Sequence, residues 1–151
     1  MGLDMYLRRK IYVKNWEHTA HKDRFKITIE KGGVPYTGIN MENVTNIVEE
    51  VGHWRKFNAL HHWIVENIQN GEDNCREYHF DNEALIELSH VLQQLKDNPE
   101  LAFRIFPTSE GFFFGSTEYD EYYWENVEYT IELINNLLEA KTGDIYYQAS
   151  W

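Results

Sequence analysis

The stretch Leu3-Asp-Met-Tyr-Leu-Arg-Arg-Lys-Ile-Tyr-Val13 alternates in the manner of a half-buried β-strand. Apolar side chains occupy the odd positions and polar or tyrosine side chains the even ones, while Arg9 breaks the apolar side. Because successive side chains of a strand point to opposite faces of a sheet, this pattern predicts one face against a core and one face toward solvent.

Other stretches show related extended patterns. Phe25, Ile27 and Ile29 predict a second strand, which ends at the turn residues Lys31-Gly-Gly-Val-Pro35. The tail Asp144-Ile-Tyr-Tyr-Gln-Ala-Ser-Trp151 alternates again and predicts a final strand. Residues 44–52 fit a helix or a strand, and residues 77–80 fit a short extended piece.

Three segments carry the apolar spacing of amphipathic helices. The predicted helices run from Arg55 to Gln69, from a cap at Asp81 or Asn82 to Asn98, and from a cap at Ser116 or Thr117 to Gly143. Strands, then helices, then a closing strand predict an α+β fold. We expect a single domain over residues 1–151, with three helices packed on one face of a mainly antiparallel sheet.

The net charge of the chain argues against some classes of binding partner. The 151 residues include 25 Asp and Glu against 14 Lys and Arg, a formal net charge of −11. Such a balance argues against duplex nucleic acid and against an anionic membrane surface. The chain has no apolar run of about 18 residues, no signal-peptide pattern and only one cysteine, Cys75. These features predict a cytoplasmic protein without disulfides.

The segment Gly52-His-Trp-Arg-Lys-Phe-Asn-Ala-Leu-His-His-Trp63 is the first candidate binding site. A helix that begins near Arg55 would leave its first N–H groups unpaired, and Arg55 and Lys56 add positive charge for a phosphate. Trp54, Asn58 and His61 would then follow one line of the helix surface. The alternative is that the two cations form ordinary ion pairs with nearby glutamates on the surface.

The second candidate is the aromatic stretch from Gly111 to Trp124. Its glycines permit a tight turn around three phenylalanines, and a helix that starts at Ser116 or Thr117 would offer hydroxyl and amide groups to a ligand. Phe113 and Tyr119 would supply flat rings. The alternative is that these rings pack in a core or an aromatic seam.

We expect no cofactor and no metal. The histidine pairs His18/His21 and His61/His62 have no third ligand at an informative spacing, and no phosphate-binding glycine motif or hydrolase motif occurs.

Four strings of the chain resemble a family of small uncharacterised bacteriophage and prophage proteins. They are MGLDMYL at 1–7, VEEVGHWRKFNALHHW at 48–63, GFFFGSTEYDEYYW at 111–124 and YYQASW at 146–151. The resemblance covers nearly the whole chain and brings no established catalytic residues with it. It implies a protein that acts in a host cell. By analogy of pocket composition, and not of ancestry, other small phage proteins that sequester nucleotide immune signals as homo-oligomers suggest the same role here.

Together these features predict a non-catalytic protein that binds a nucleotide-derived small molecule, such as a cyclic ADP-ribose or a cyclic dinucleotide. Bases would stack on Trp54, Phe113 or Tyr119, and Tyr146, Tyr147 and Trp151 would close the pocket or form a dimer interface. One alternative is an enzyme acting on a nucleotide or phosphoester, with His61 or His62 as general base and Arg55 steadying charge. Another is an acidic inhibitor or DNA mimic.

Overall fold

The computed structural model describes residues 2–151. Its strands are β1 (Asp4–Tyr12), β2 (Glu30–Lys31), β3 (Val34–Pro35), β4 (Asn46–Arg55), β5 (Tyr78–Phe80) and β6 (Asp144–Ser150). Four of them form an antiparallel sheet in the order β4-β1-β6-β5, and β2 and β3 form a separate small hairpin. The first and last strands of the chain therefore lie side by side at the centre of the main sheet.

The helices are α1 (Asn58–Asn67), α2 (Asn82–Asp97), α3 (Ala102–Ile105) and α4 (Glu121–Ala140). The α+β fold class is confirmed, but the number of helices is four rather than three. The extra helix, α3, is a single turn that follows Pro99, and four residues are too few to display a helical period. In residues 2–151 no helix combines the length and the apolar character that crossing a membrane requires.

The core lies against one face of the sheet. Leu3, Met5 and Leu7 are buried beside Tyr147 and Ala149 of β6, as the alternation in the first segment predicts. Each such side chain contributes about 1.5 to 3 kcal/mol to folding. The even-numbered residues of β1 and β6 point the other way and remain partly exposed. One face of the sheet is therefore open.

Strand β4 resolves the ambiguous segment 44–52. Leu7 pairs with Gly52, whereas Arg8 pairs with Glu50, so Val51 is an extra residue in a β-bulge. A bulge interrupts the two-residue alternation of a strand. The apolar residues of this segment therefore fit helical spacing equally well, although the segment is extended.

The predicted strand over residues 25–29 is wrong. The Asn15 side chain forms hydrogen bonds with both backbone polar groups of Phe25: its Nδ2 donates to the Phe25 carbonyl at 2.7 Å, and its Oδ1 accepts from the Phe25 N–H at 2.9 Å. These backbone groups are therefore bonded to a side chain instead of to a neighbouring strand. The predicted turn after it is confirmed, with Gly32 and Gly33 at positive φ between β2 and β3.

Two predicted helix starts are also wrong. Strand β4 continues to Arg55, which pairs with Asp4, and Lys56 then takes a left-handed conformation (φ 57°) before α1 begins at Asn58. Helix α4 begins at Glu121, because the Asp120 side chain accepts a hydrogen bond from the Tyr123 N–H at 3.1 Å. Ser116 and Thr117 therefore precede the helix without capping it.

Candidate functional site

Trp54 belongs to the core. Its side chain is only 3% exposed, and its Nε1 donates to Thr130 Oγ1 at 3.0 Å. Because Trp54 lies on β4 while Asn58 and His61 lie on α1, the three residues do not share one helix line as the sequence predicts. The buried indole offers no open ring for stacking.

Asn58 joins the two predicted segments. Its Nδ2 donates to the carbonyls of Phe114 at 3.0 Å and Ser116 at 2.8 Å, and its Oδ1 accepts from the Ser109 N–H at 3.0 Å. The two candidate segments therefore lie together, and the buried amide of Asn58 holds them in contact. All of this amide's hydrogen bonds in residues 2–151 are spent on the loop backbone.

The aromatic loop is stabilised by its own polar groups. Thr108 donates through its N–H to the Tyr119 hydroxyl at 3.2 Å and through Oγ1 to the Thr117 carbonyl at 2.9 Å. Ser116 Oγ accepts from the Glu118 N–H at 3.0 Å. The Phe113 carbonyl accepts from the Leu3 N–H at 3.1 Å, and the Phe113 side chain is half-buried. These predicted site residues thus shape the loop.

The cleft between this loop and α1 is small and acidic. Its free volume is about 20 Å³, far below the roughly 300 to 1,000 Å³ of ordinary ligand pockets. Lys56 lines it together with Asn58 and Ser116, and so do the acidic residues Glu118 and Asp120. Two acidic residues against one lysine disfavour an anionic ligand here.

His61 lies in a buried hydrogen-bonded chain. The ring is 1% exposed, with Nδ1 at 2.7 Å from the Tyr147 hydroxyl and Nε2 at 3.0 Å from Asp73 Oδ1. Burial lowers the pKa of His61, although Asp73 acts in the opposite direction, and burial raises the pKa of Tyr147 well above its ordinary value. Both groups are therefore neutral near pH 7.

The neutral state of His61 and Tyr147 determines which group donates in each of the two hydrogen bonds. Tyr147 donates to His61 Nδ1, and His61 Nε2–H donates to Asp73. Both ring nitrogens are thus occupied, and neither has a free lone pair for a substrate proton. No sequence pattern identifies Asp73, because it lies in the loop after α1, twelve positions from its partner.

The open face of the sheet brings half-buried aromatic and cationic groups side by side. Tyr6 and His53 stack across β1 and β4, with ring centroids 5.0 Å apart and planes inclined by 24°. The Arg8 guanidinium lies 5.0 Å from the Tyr6 ring centroid, and its Nη1 donates to Gln148 Oε1 at 2.8 Å. Ring, cation and amide form one continuous surface, which we call the platform (Tyr6, Arg8, His53 and Gln148).

A second aromatic group lies beside the platform. Lys10 Nζ lies 4.2 Å from the Tyr146 ring centroid and forms an ion pair with Glu77, and the His79 ring centroid is 5.3 Å from that of Tyr146. The sequence predicts Tyr146 as part of a pocket or a dimer interface, whereas it predicts Tyr6, Arg8 and Lys10 only as the polar side of a strand. Tyrosines and cations at alternate positions of two strands were the signal that could have identified the surface.

Arg55 and Lys56 converge at one end of the platform. A side-chain carbon at Gly2 would lie 3.0 Å from Lys56 Cε and 3.7 Å from Arg55 Nη2, so both cations border Gly2. An open cleft of about 270 Å³, lined by Gly2, Asp4, Ser150 and Trp151, adjoins Gly2. The predicted cationic pair is therefore exposed beside an open cleft that is slightly smaller than the roughly 300 to 1,000 Å³ of ordinary ligand pockets.

Among residues 2–151, no group of three His, Cys, Asp or Glu side chains is arranged to hold a metal ion. Comparisons with protein-family models, with curated proteins and with solved structures find no match to this chain.

Proposed function

We propose that the protein is a non-catalytic binding protein for a nucleotide-derived small molecule, which it holds on the platform. The observation that carries this proposal is the stacked pair Tyr6 and His53, which lies on rigid strands with Arg8 against it. A planar base prefers such a surface because every base has a π face, and stacking contributes about 1 to 3 kcal/mol per base.

The end of the platform supplies charge for a phosphate. Arg55 and Lys56 lie next to Gly2, which lines the cleft, and Arg55 can form paired hydrogen bonds with two phosphate oxygens. Asp4 also lines this cleft and lies 3.5 Å from His53 Nε2, where its carboxylate can accept a hydrogen bond from a sugar hydroxyl. Base, sugar and phosphate thus find complementary groups along one line.

The other predicted site residues have supporting roles in this proposal. Asn58, Ser116, Thr117 and Tyr119 hold the aromatic loop in place. Trp54 anchors β4, so that His53 and Arg55 on either side of it project toward the open face. Substitution of Trp54 would therefore disturb the fold and would be a poor test of ligand contact.

Binding without turnover is the proposed activity, because His61 has both ring nitrogens engaged by Tyr147 and Asp73. That arrangement argues against the enzyme alternative in which His61 is the general base. The identity of the ligand as a host immune signal, a cyclic ADP-ribose or a cyclic dinucleotide, rests on the resemblance to phage proteins.

The test compares binding and turnover in one preparation. Titration calorimetry with adenosine monophosphate, cyclic ADP-ribose and a cyclic diadenylate measures affinity, and chromatography of the heated supernatant shows whether each probe is returned intact. We expect Tyr6→Leu/Arg55→Gln to weaken binding at least about tenfold. The matched control Phe103→Leu/Arg104→Gln changes exposed residues of the same types on α3 and should bind normally.

Two results would overturn the proposal. A converted probe in the supernatant would make the protein an enzyme, and equal affinities for the platform variant and its control would place the ligand elsewhere.

A further inference from the structure

The connection between β1 and β4 exposes an unusual amount of apolar surface. Of the fourteen large hydrophobic side chains that are exposed in residues 2–151, nine lie between Tyr12 and Val48. No residue from 14 to 45, which we call the arm, is buried. The exposed side chains of the arm itself are Trp16, Phe25, Ile29, Val34, Tyr36 and Ile39.

The arm is nevertheless ordered by local polar contacts. The Asn15 side chain is hydrogen-bonded to both the N–H and the carbonyl of Phe25. The Arg24 guanidinium donates to the carbonyls of Thr19 at 2.9 Å and Glu17 at 3.2 Å. Trp16 Nε1 donates to the Tyr12 hydroxyl at 3.1 Å. A segment held in shape by such contacts while its rings face solvent has the properties of a binding surface.

The arm differs in net charge from the rest of the chain. The arm contains five of the 14 Lys and Arg residues but only four of the 25 Asp and Glu residues, so its formal net charge is +1 and that of the remainder is −12. None of its five cations takes part in an ion pair within residues 2–151. The arm therefore offers positive charge that its own chain leaves unpaired.

Helix α4 presents the complementary surface. It carries five glutamates and no Lys or Arg, and only Glu128 is paired, with Lys96 at 3.1 Å. Two exposed aromatic side chains, Tyr122 and Tyr129, lie at the edge of this surface next to β4, where the Tyr122 hydroxyl donates to the Arg55 carbonyl and the Tyr129 hydroxyl accepts from the His53 N–H at 3.4 Å. The outer face of α4 thus combines negative charge with aromatic rings, while the arm combines positive charge with apolar rings.

We propose that the arm is a self-association element that lies on the outer face of α4 in a second copy of this chain. Two copies related by a twofold axis would each contribute one arm and one α4, which closes the assembly as a dimer. This inference is independent of the platform and its ligand. The exposed apolar residues of the arm would be buried in the dimer, and its free cations would meet glutamates.

A single-stranded nucleic acid is the competing partner, because the arm contains both rings and cations. The net charges of the arm and of the remaining chain both disfavour binding of a nucleic acid. The four acids of the arm leave a net charge of only +1, and the −12 of the remaining chain would repel a phosphate backbone. The same −12 attracts the arm when it lies on a second copy.

The test is the molar mass of the full chain in solution, measured by light scattering and native mass spectrometry across a dilution series. We expect a dimer for the unchanged protein. Lys22→Glu/Lys26→Glu and, separately, Phe25→Ser/Ile39→Ser should raise its dissociation constant at least about tenfold, since none of these side chains makes the hydrogen bonds that order the arm. Controls outside the arm are Arg104→Glu for charge and Phe103→Ser/Phe112→Ser for exposed rings, and both should remain dimeric.

A compensating pair identifies the surface on the partner. Glu125→Lys/Glu132→Lys on α4 should weaken the dimer alone and restore it when combined with Lys22→Glu/Lys26→Glu. A monomer at every concentration, a dimer insensitive to the arm variants, or a failure of compensation would overturn the proposal. So would a monomer that binds a single-stranded oligonucleotide through the arm.

Discussion

Trp54 Nε1 donates a hydrogen bond to Thr130 Oγ1 at 3.0 Å, which ties strand β4 to helix α4 inside the core. The Thr130 hydroxyl in turn donates to the Asn126 carbonyl at 2.6 Å. The same hydroxyl therefore accepts from the indole N–H and donates to a backbone carbonyl of α4. This bond fixes β4 in the bulged register that presents His53 and Arg55 on the open face.

Removal of the threonine hydroxyl should therefore destabilise the fold. Thr130→Val keeps the shape of the side chain but leaves the buried indole N–H without an acceptor, at a cost of about 1 to 3 kcal/mol in the free energy of unfolding. Urea denaturation monitored by tryptophan fluorescence measures the change. Trp54→Phe/Thr130→Val should cost less than the sum of the two single variants, whereas strict additivity would show that the bond contributes nothing.

A second prediction concerns Asn58, whose amide makes three hydrogen bonds to loop backbone groups. Asn58→Ala should lower the free energy of unfolding by about 2 to 4 kcal/mol, because buried backbone groups lose their partners. Hydrogen exchange should accelerate at the Ser109 amide in particular. The matched control is Asn67→Ala, which removes one hydrogen bond from an exposed asparagine, and an unchanged Ser109 rate would contradict the assigned role.

Much of the fold follows from local sequence. Alternation identifies β1 and β6, and apolar stripes with Asp81 as cap identify α2. Three local features leave no signal in the spacing of apolar residues, because each depends on contacts with other parts of the chain. They are the bulge at Val51, the left-handed Lys56 and the hydrogen bonds of Asn15 to Phe25. These features explain why β4 was ambiguous, why α1 begins late and why residues 25–29 form no strand.

The candidate site was predictable only in its chemistry. Arg55 and Lys56 are exposed cations as the sequence suggests, but the placement of Trp54 in the core depends on Thr130, seventy-six positions away. Tyr6 and His53 become neighbours through the antiparallel register of β1 with β4. A sequence pattern can name residue types for stacking, whereas strand register decides which of them share a face.

The buried chain of Tyr147, His61 and Asp73 predicts a dependence of stability on pH. Burial lowers the pKa of His61 below its ordinary value of 6.5 in the folded protein, and His62 adds to that lowering while Asp73 opposes it. The unfolded state therefore binds a proton first as pH falls below about 6.5, so the contribution of neutral His61 is complete above that pH and is lost as pH falls toward the folded pKa.

Urea titrations at a series of pH values between about 8 and 5 check this prediction. The free energy of unfolding should decline more steeply below pH 6.5 in the unchanged protein than in His61→Asn, which has no imidazole to protonate. His18→Gln, at an exposed position of the arm, should keep the steep decline. Parallel pH profiles for the unchanged protein and His61→Asn would exclude His61 as the source.

The last prediction separates backbone strain from ligand contact at two lysines. Lys56 and Lys141 both adopt the left-handed conformation, with φ of 57° and 48°, which glycine enters without a steric penalty. Lys141 follows the end of α4, where glycine is the usual residue, so Lys141→Gly should raise the free energy of unfolding by up to about 1 kcal/mol.

Lys56→Gly should relieve the same strain but also remove the ammonium that borders Gly2 and the platform cleft. We therefore expect both variants to be at least as stable as the unchanged protein, while only Lys56→Gly loses affinity for adenosine monophosphate in calorimetry. Thermal unfolding gives the stability of each variant independently. Because the two substitutions are chemically identical, a difference in affinity between them comes from the position of the lost charge, and equal affinities would remove Lys56 from the proposed phosphate contact.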